Sequence, residues 1–396
     1  MPSRRHFLAS AGLSGLTAVS GCLDGSSTAQ LRYPGSEQPQ TRWWPQVGFD
    51  QLGTNFNPMV AGPRAGVQER WAVEIGPFGR PPVVAEHLVF VPTGDGIRAI
   101  DVRSGEDQWT WDGGSESVHP ASLAWHDGLL YVARGSGDGV VALETDTGDG
   151  VWSFSADENS CYDLVVEPDD DEPVVFTGDD RGTVYALDGT TGEVRWRQEL
   201  FGVVTQVVTS FGTLYVGTEG GEVYALGPAD GAGRWRRKLP GWVRALSADP
   251  SGVYASVFGG PTARLQSNRA GATDWSSDVW STGGLVNAGN RIFTAGGTLT
   301  AVGHSDGEER WSGPETADCA PIAAGDTVYA ATEDGIVAYD GSVSDDSLPV
   351  VGQDPKRWVQ PVEGTAVGLA AADGALFVVT DNQGDGESVA YAFEEA

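Results

Sequence analysis

VYALDGTTGEVRW, residues 184 to 196, places a short run of alternating apolar residues before a Gly-Thr-Thr-Gly turn and a second run that ends in Trp196. Period-2 alternation on both sides of a glycine turn predicts a β-hairpin, because glycine supplies the positive φ that a tight reversal requires. The unit recurs. IRAIDVRSGEDQW (97 to 109), VVALETDTGDGVW (140 to 152), VYALGPADGAGRW (223 to 235) and LTAVGHSDGEERW (299 to 311) share its frame, and ARLQSNRAGATDW (263 to 275) is a worn copy. Each unit contains Gly-x-x-x-Trp, and Trp71 and Trp358 extend the series at both ends without the Gly.

From Trp71 to Trp311 the repeat averages about 40 residues, the length of one four-stranded propeller blade. Upstream of each unit lies another hairpin, as in VVTQVVTSFGTLYVGTEGGEVYAL, which completes four strands. Eight segments read as third strands: 97 to 102, 140 to 144, 184 to 188, 223 to 227, 263 to 266, 299 to 303, 336 to 340 and 389 to 393. Eight outer strands carry Trp71, Trp109, Trp152, Trp196, Trp235, Trp275, Trp311 and Trp358. The two sets are offset: the Trp71 strand has no third strand before it, and the segment at 389 to 393 has no outer strand after it. Pairing these two removes an exposed sheet edge. Residues 66 to 396 are therefore expected to form an all-β, eight-bladed propeller of four-stranded antiparallel blades, closed by the N-terminal strand on the C-terminal blade. Each ring Trp is expected to fill the space between adjacent blades, burying on the order of 150 to 250 Å².

The chain has 396 residues, with 24 Lys+Arg against 55 Asp+Glu and a net charge of −31. Such an excess excludes nucleic-acid binding driven by phosphate. Only Lys238 and Lys356 are lysines. Acid excess with so little Lys is what a halophile would use, since concentrated salt screens the self-repulsion. With 40% apolar residues, 14 Trp and 56 Gly, the chain reads as folded and turn-rich rather than as an acidic disordered tail.

The first 22 residues, MPSRRHFLASAGLSGLTAVSGC, set Arg4 and Arg5 before Phe7 and Leu8, then a run of small apolar residues ending at Cys22. They resemble a twin-arginine export signal closed by a lipobox. Leu8 to Val19 is too short for the roughly 20 residues that a bilayer needs. The expectation is export, lipidation of Cys22, and attachment to the outer face of the cytoplasmic membrane. Residues 23 to 65 then read as a tether whose later part, TRWWPQVGFDQLGTNFNP, is too aromatic for a free linker and should pack on the ring.

The run A-x-D-x-x-[ST]-G-x-x-x-W, seen as Ala186, Asp188, Thr191, Gly192 and Trp196 and again as Ala99, Asp101, Ser104, Gly105 and Trp109, resembles the tryptophan-docking motif of the pyrroloquinoline quinone-like propeller repeats. Ala142, Thr147, Gly148 and Trp152 match with Glu144 at the acid position, and the copies at Trp235 and Trp311 lose the acid. That family holds quinone-dependent alcohol and sugar dehydrogenases and also non-enzymatic propellers, among them a lipoprotein that assists outer-membrane protein assembly. An exported, lipid-anchored chain of compact blades resembles the second group, and the WPQVGFDQLGTNFNP segment resembles the leader of its exported members.

A quinone dehydrogenase implies an adjacent cysteine pair, a carboxylate base and a calcium site on longer loops. Here Cys161 and Cys319 fall at the start of the third and seventh blades, across the ring, so two separate buried or channel-lining thiols are expected. His87, His119, His126 and His304 have no metal-ligand spacing and read as unrelated surface or turn imidazoles. The acidic stretches at 167 to 172 and 381 to 387 read as hydrated surface rather than as calcium loops. No catalytic residues, metal or cofactor are expected; pyrroloquinoline quinone and calcium belong to the alternative reading of a quinone-dependent oxidoreductase.

The loops from each outer strand to the next inner strand should gather on one face around the channel. They contain Phe78, Arg80, Tyr162, Phe201, Gln206, Trp242, Arg244 and Trp280, and aromatic residues with Arg are the composition of a binding hot spot. The chain is accordingly read as a monomeric ring that acts as a scaffold or binding module for a protein or peptide partner at the cell surface. A solute- or glycan-binding surface protein is a further alternative.

Overall fold

The computed structural model describes residues 31–36, 38–113, 119–136, 139–168, 172–282, 284–316, 319–342, 355–382 and 388–396. The expected export signal with Arg4, Arg5 and Cys22, and the cores of the two acidic loops at 169–171 and 383–387, lie outside them.

Eight sheets are arranged as blades. Seven run in chain order over 83–111, 120–154, 161–199, 204–238, 243–281, 284–316 and 322–360, each with its four strands antiparallel from the channel outward. The eighth contains Thr365–Ala372, Ala375–Asp381 and Ser388–Glu395, and its outer strand is Val67–Ile75. Val67 pairs with Glu395, Trp71 with Ala392 and Ile75 with Ser388, so the chain ends close the ring as the offset of the repeats requires. The one helical turn among the described residues is Ser267–Arg269.

Burial follows strand position. Second and third strands lie between neighbouring blades and are mostly buried, along their whole length in Thr213–Thr218 and Glu222–Leu226, which is why they read as near-continuous apolar runs. Outer strands alternate, as in Val194–Glu199, with one face half-buried and one in solvent.

The repeated motif is explained at the blade junctions. Asp188 accepts hydrogen bonds from the Thr190 amide, the Thr191 amide and the Thr191 hydroxyl at 2.9 to 3.1 Å, which fixes the turn; Asp101 does the same for Arg103 and Ser104. Both carboxyls are held below the usual range: burial opposes this, but the hydrogen bonds outweigh it. Gly192 follows at φ +74°, and a Cβ there would sit 2.5 Å from the Trp152 ring of the preceding blade. Gly105, Gly148, Gly231, Gly271 and Gly307 meet Trp71, Trp109, Trp196, Trp235 and Trp275 in the same way. The indole N–H then donates across the junction: Trp152 to the Gly189 carbonyl at 2.9 Å and Trp109 to the Thr145 carbonyl at 2.9 Å. Each ring Trp therefore packs between blades; seven have a tilted aromatic partner on their own second strand, such as Tyr131 against Trp152 at 5.9 Å between centroids, and Trp311 instead meets Tyr339 of the next blade.

The eighth blade has no hairpin of this kind, because its third and outer strands come from opposite ends of the chain. Pro63 stands in for it. Trp358 donates to the Pro63 carbonyl at 3.1 Å and Tyr329 does so at 3.0 Å. The amide of Ala65 donates to the Glu395 carboxylate at 2.9 Å, as does the Arg64 amide.

Candidate functional site

The site is defined by what closes one end of the channel and leaves the other open. Residues 42 to 57 run once around the channel where the inner strands end. The Arg42 carbonyl accepts from Asp373 of the eighth blade, and Trp44 exchanges two backbone bonds of 2.8 Å with Val84 of the first. Pro45 and Val47 bond Trp125 and Leu123 of the second, and the Gln46 side chain accepts from the Val166 amide of the third. The carbonyls of Gln51, Leu52 and Thr54 accept from Thr209, Ala248 and Asn287 of the fourth, fifth and sixth blades. Phe56–Asn57 adds a parallel strand to Ile322–Ala324 of the seventh. All eight blades are bonded by one short segment, with Trp44, Phe49 and Phe56 buried beneath it. The leader packs on the ring as its aromatic content implies, and Leu31 and Arg32 leave it at the same end, against Gly341 and the turn at Gly289.

Above this plug lies a channel cavity of about 160 Å³, walled by Asp163, Gln206, Arg244, Cys319 and Leu369 and floored by Trp44, Asp50 and Asn55. Asp163 is half-buried in the channel wall and ties three blades together. It accepts from the Ser122 hydroxyl at 3.0 Å and the Val207 amide at 2.9 Å. Burial pushes its carboxyl up to about 7, against the pull of those bonds. Asp50 accepts from Tyr33 at 2.7 Å and from the Thr54 hydroxyl and amide at 2.9 and 3.0 Å, and burial raises it to about 6. Neither aspartate was singled out by the repeat, since both lie off its phase.

These residues do not fit a tricyclic quinone with calcium. The cavity falls below the roughly 300 to 1,000 Å³ of sites that enclose such ligands. Its carboxylates face hydrogen-bond donors rather than an open ligand position. The two cysteines are free and apart: Cys319 lines the cavity, whereas Cys161 is buried in the core between the second and third blades, where burial pushes its thiol up to about 12. No group of three or more His, Cys, Asp or Glu with metal-holding geometry occurs among the described residues.

His304 lies in a turn, as read from the sequence, and there also has a role in packing. It bridges blades, bonding the Tyr254 hydroxyl and approaching Asp249 at 3.2 Å, while its carbonyl accepts from Trp275. Burial works against the Asp249 carboxylate, but His304, Ser251 and Arg264 together hold it well below the usual range.

The open end carries the outer-to-inner loops and the hairpins between second and third strands. Phe78, Tyr162, Phe201 and Trp280 are exposed there, Phe201 at 71% and Trp280 at 68%. Arg80 is also exposed, and its amide bonds the Pro92 carbonyl at 3.1 Å. Gln206 and Arg244 reach the cavity wall. Trp242, Arg244 and Phe258 form one cluster: the guanidinium lies 4.9 Å from the Trp242 ring and 5.9 Å from Phe258, and the two rings are 5.9 Å apart. Phe201 joins Arg236 at 5.9 Å, and Arg236 also covers Tyr224. Phe258, 48% exposed, was missed because it lies in a hairpin that no repeat position marks. Of six exposed large aromatics among the described residues, five are at this end; Phe211 is at the plugged end.

Fold and motif define the class as an eight-bladed propeller of pyrroloquinoline quinone-like repeats. The chain belongs to the family described as outer membrane protein assembly factor BamB, whose profile matches residues 54–164, 139–210, 180–255 and 262–346. No curated protein matches it significantly. Among solved structures it is similar to BamB from Moraxella catarrhalis, at 16% identity and a TM-score of 0.63, covering 83% of this chain and 100% of that one. It is also similar to the quinohemoprotein alcohol dehydrogenase from Comamonas testosteroni, at 15% identity and 0.70, covering 91% and 82%. A computationally designed protein, Ika8, matches at 17% identity and 0.70, covering 82% and 99%. At these identities the likeness concerns the fold.

Proposed function

We propose that this chain is a non-catalytic, lipid-anchored extracytoplasmic propeller whose open rim binds a partner protein or peptide. The observation that carries this reading is the gathering of exposed aromatics at the end away from the plug, around the Trp242, Arg244 and Phe258 cluster. Hot spots favour Trp, Tyr and Arg beside a pocket, and this rim has that composition. A tether running from Cys22 to Leu31 would leave the ring at the plugged end, so the rim would face away from the membrane.

The family membership supports a protein-interaction role. The quinone-dependent oxidoreductase remains the second reading through its shared fold, and added pyrroloquinoline quinone with calcium tests it by binding or not binding. For the leading reading, the double variant Trp242→Ala, Arg244→Ala is compared with the parent in affinity capture from intact cells. Loss of the captured partner supports the rim; undiminished capture overturns it.

A further inference from the structure

A second concavity lies on the side of the ring, between the outer strand of the fifth blade and the outer hairpin of the sixth. This groove has a volume of about 640 Å³. One wall is Ala272–Ser281, the longest strand described, which brings Ser276, Asp278 and Trp280 to the groove. The other wall carries Thr298, Thr300 and Ser312, whose three hydroxyls form a mutual cluster at 3.0 to 3.4 Å. Glu309 and Glu315 complete the lining.

Three features mark it out from ordinary acidic surface. Trp280 is 68% exposed beside a concavity, in contrast to the ring tryptophans, which are buried or half-buried. The hydroxyl cluster supplies donors and acceptors together, whereas a carboxylate only accepts. Asp278, Glu309 and Glu315 make no ion pair or side-chain hydrogen bond among the described residues, in contrast to Asp306 and Glu308 nearby, which both engage Arg310.

We propose that this groove binds a neutral glycan. A pyranose has an apolar C–H face that stacks on an aromatic ring and a rim of hydroxyls that both donate and accept, and the groove presents both complements. Three unengaged carboxylates accept from sugar hydroxyls and repel sulfated or carboxylated polysaccharides. A polycation would use the carboxylates and the Trp280 face but would find no use for hydroxyl donors. The groove adjoins the rim at Trp280, which lies beside Gly259, so the rim is tested at Trp242 and Arg244 and the groove at Trp280 and its hydroxyls.

The test is saturation-transfer NMR on the full chain with neutral oligosaccharides of glucose, galactose, mannose and N-acetylglucosamine, with heparin and spermine as charged comparisons. Transfer to the ring C–H protons of at least one neutral sugar is expected. Trp280→Ala should weaken it roughly tenfold or more, and Trp280→Tyr should keep it, because the platform is retained. Thr298→Val with Ser312→Ala should weaken it as well. Trp280 is exposed, so an unchanged unfolding midpoint verifies that the variant folds, and Phe211→Ala at the opposite end should bind as the parent does. Absence of transfer from all four sugars, transfer that survives Trp280→Ala, or binding of spermine or heparin in their place would overturn the proposal. Loss of glycan binding with partner capture intact leaves the rim reading standing.

Discussion

Trp358 donates its indole N–H to the carbonyl of Pro63 at 3.1 Å, across 295 positions of sequence. Every other junction with such a bond uses a residue of the next hairpin; here a residue just ahead of Val67–Ile75 performs the same task. The apolar cluster around this bond draws on the leader and on the first, seventh and eighth blades, with Phe49, Trp71, Ile75, Phe377 and Phe393 among its members. Closure is therefore a packed interface rather than a strand laid against an edge.

Closure should consequently control cooperativity. Removing residues 388–396 deprives Val67–Ile75 of its partner and exposes edges on both sides of the gap. Urea unfolding followed by tryptophan fluorescence should become broader and shift to lower midpoint. The milder Trp358→Phe, which loses the bond to Pro63 and part of a buried ring, should cost about 1 to 3 kcal/mol with the slope unchanged.

The Gly–Trp junctions should behave as coupled pairs. Gly192→Ala places a Cβ at a left-handed backbone position and 2.5 Å from the Trp152 ring, and should cost about 2 to 4 kcal/mol. Trp152→Ala should cost about 3 to 5 kcal/mol. The double variant should lose less than the sum, because the clash disappears with the ring. Chemical denaturation of all four proteins measures the difference.

The plug should be as important as a blade. Phe49 is fully buried among residues of the closure cluster, so Phe49→Ala should destabilise by about 3 to 5 kcal/mol, seen in the urea midpoint. An exposed aromatic such as Phe211 should be replaceable by Ala within about 0.5 kcal/mol.

The channel aspartates give a pH signature. Asp163 titrates at about 7 when folded and Asp50 at about 6, both above an unfolded aspartate near 4. The folded state thus holds protons more tightly, and stability from these groups is greatest below about pH 4 and falls as pH rises to about 7. Lowering pH from 8 to 5 should raise the melting temperature, and the rise should be smaller in Asp163→Asn. Asp249 acts in the opposite sense, but its depressed carboxyl stays ionised across that interval and contributes no slope.

The blades were legible because their determinants are local and repeated. Asp188, Thr191, Gly192 and Trp196 each perform a task within one hairpin or its neighbour, so the spacing alone carries the geometry. The circuit of residues 42 to 57 was legible only as aromatic content, since its bonds are single contacts to eight distant strands with no period of their own. Asp163 and Phe258 escaped for a related reason: one acts through Ser122 and Val207 on adjoining blades, and the other gains its setting from Trp242 and Arg244. Of the rim residues named from sequence, Trp242 and Arg244 meet, whereas Trp280 turns to the lateral groove.

The most direct measurement places a photo-crosslinking amino acid, in intact cells, at Phe201, at Phe258 and at Phe211. A ring plugged at one end and receptive at the other predicts protein adducts from the first two positions and none from Phe211. Adducts from Phe211 with Phe201 and Phe258 silent would contradict it.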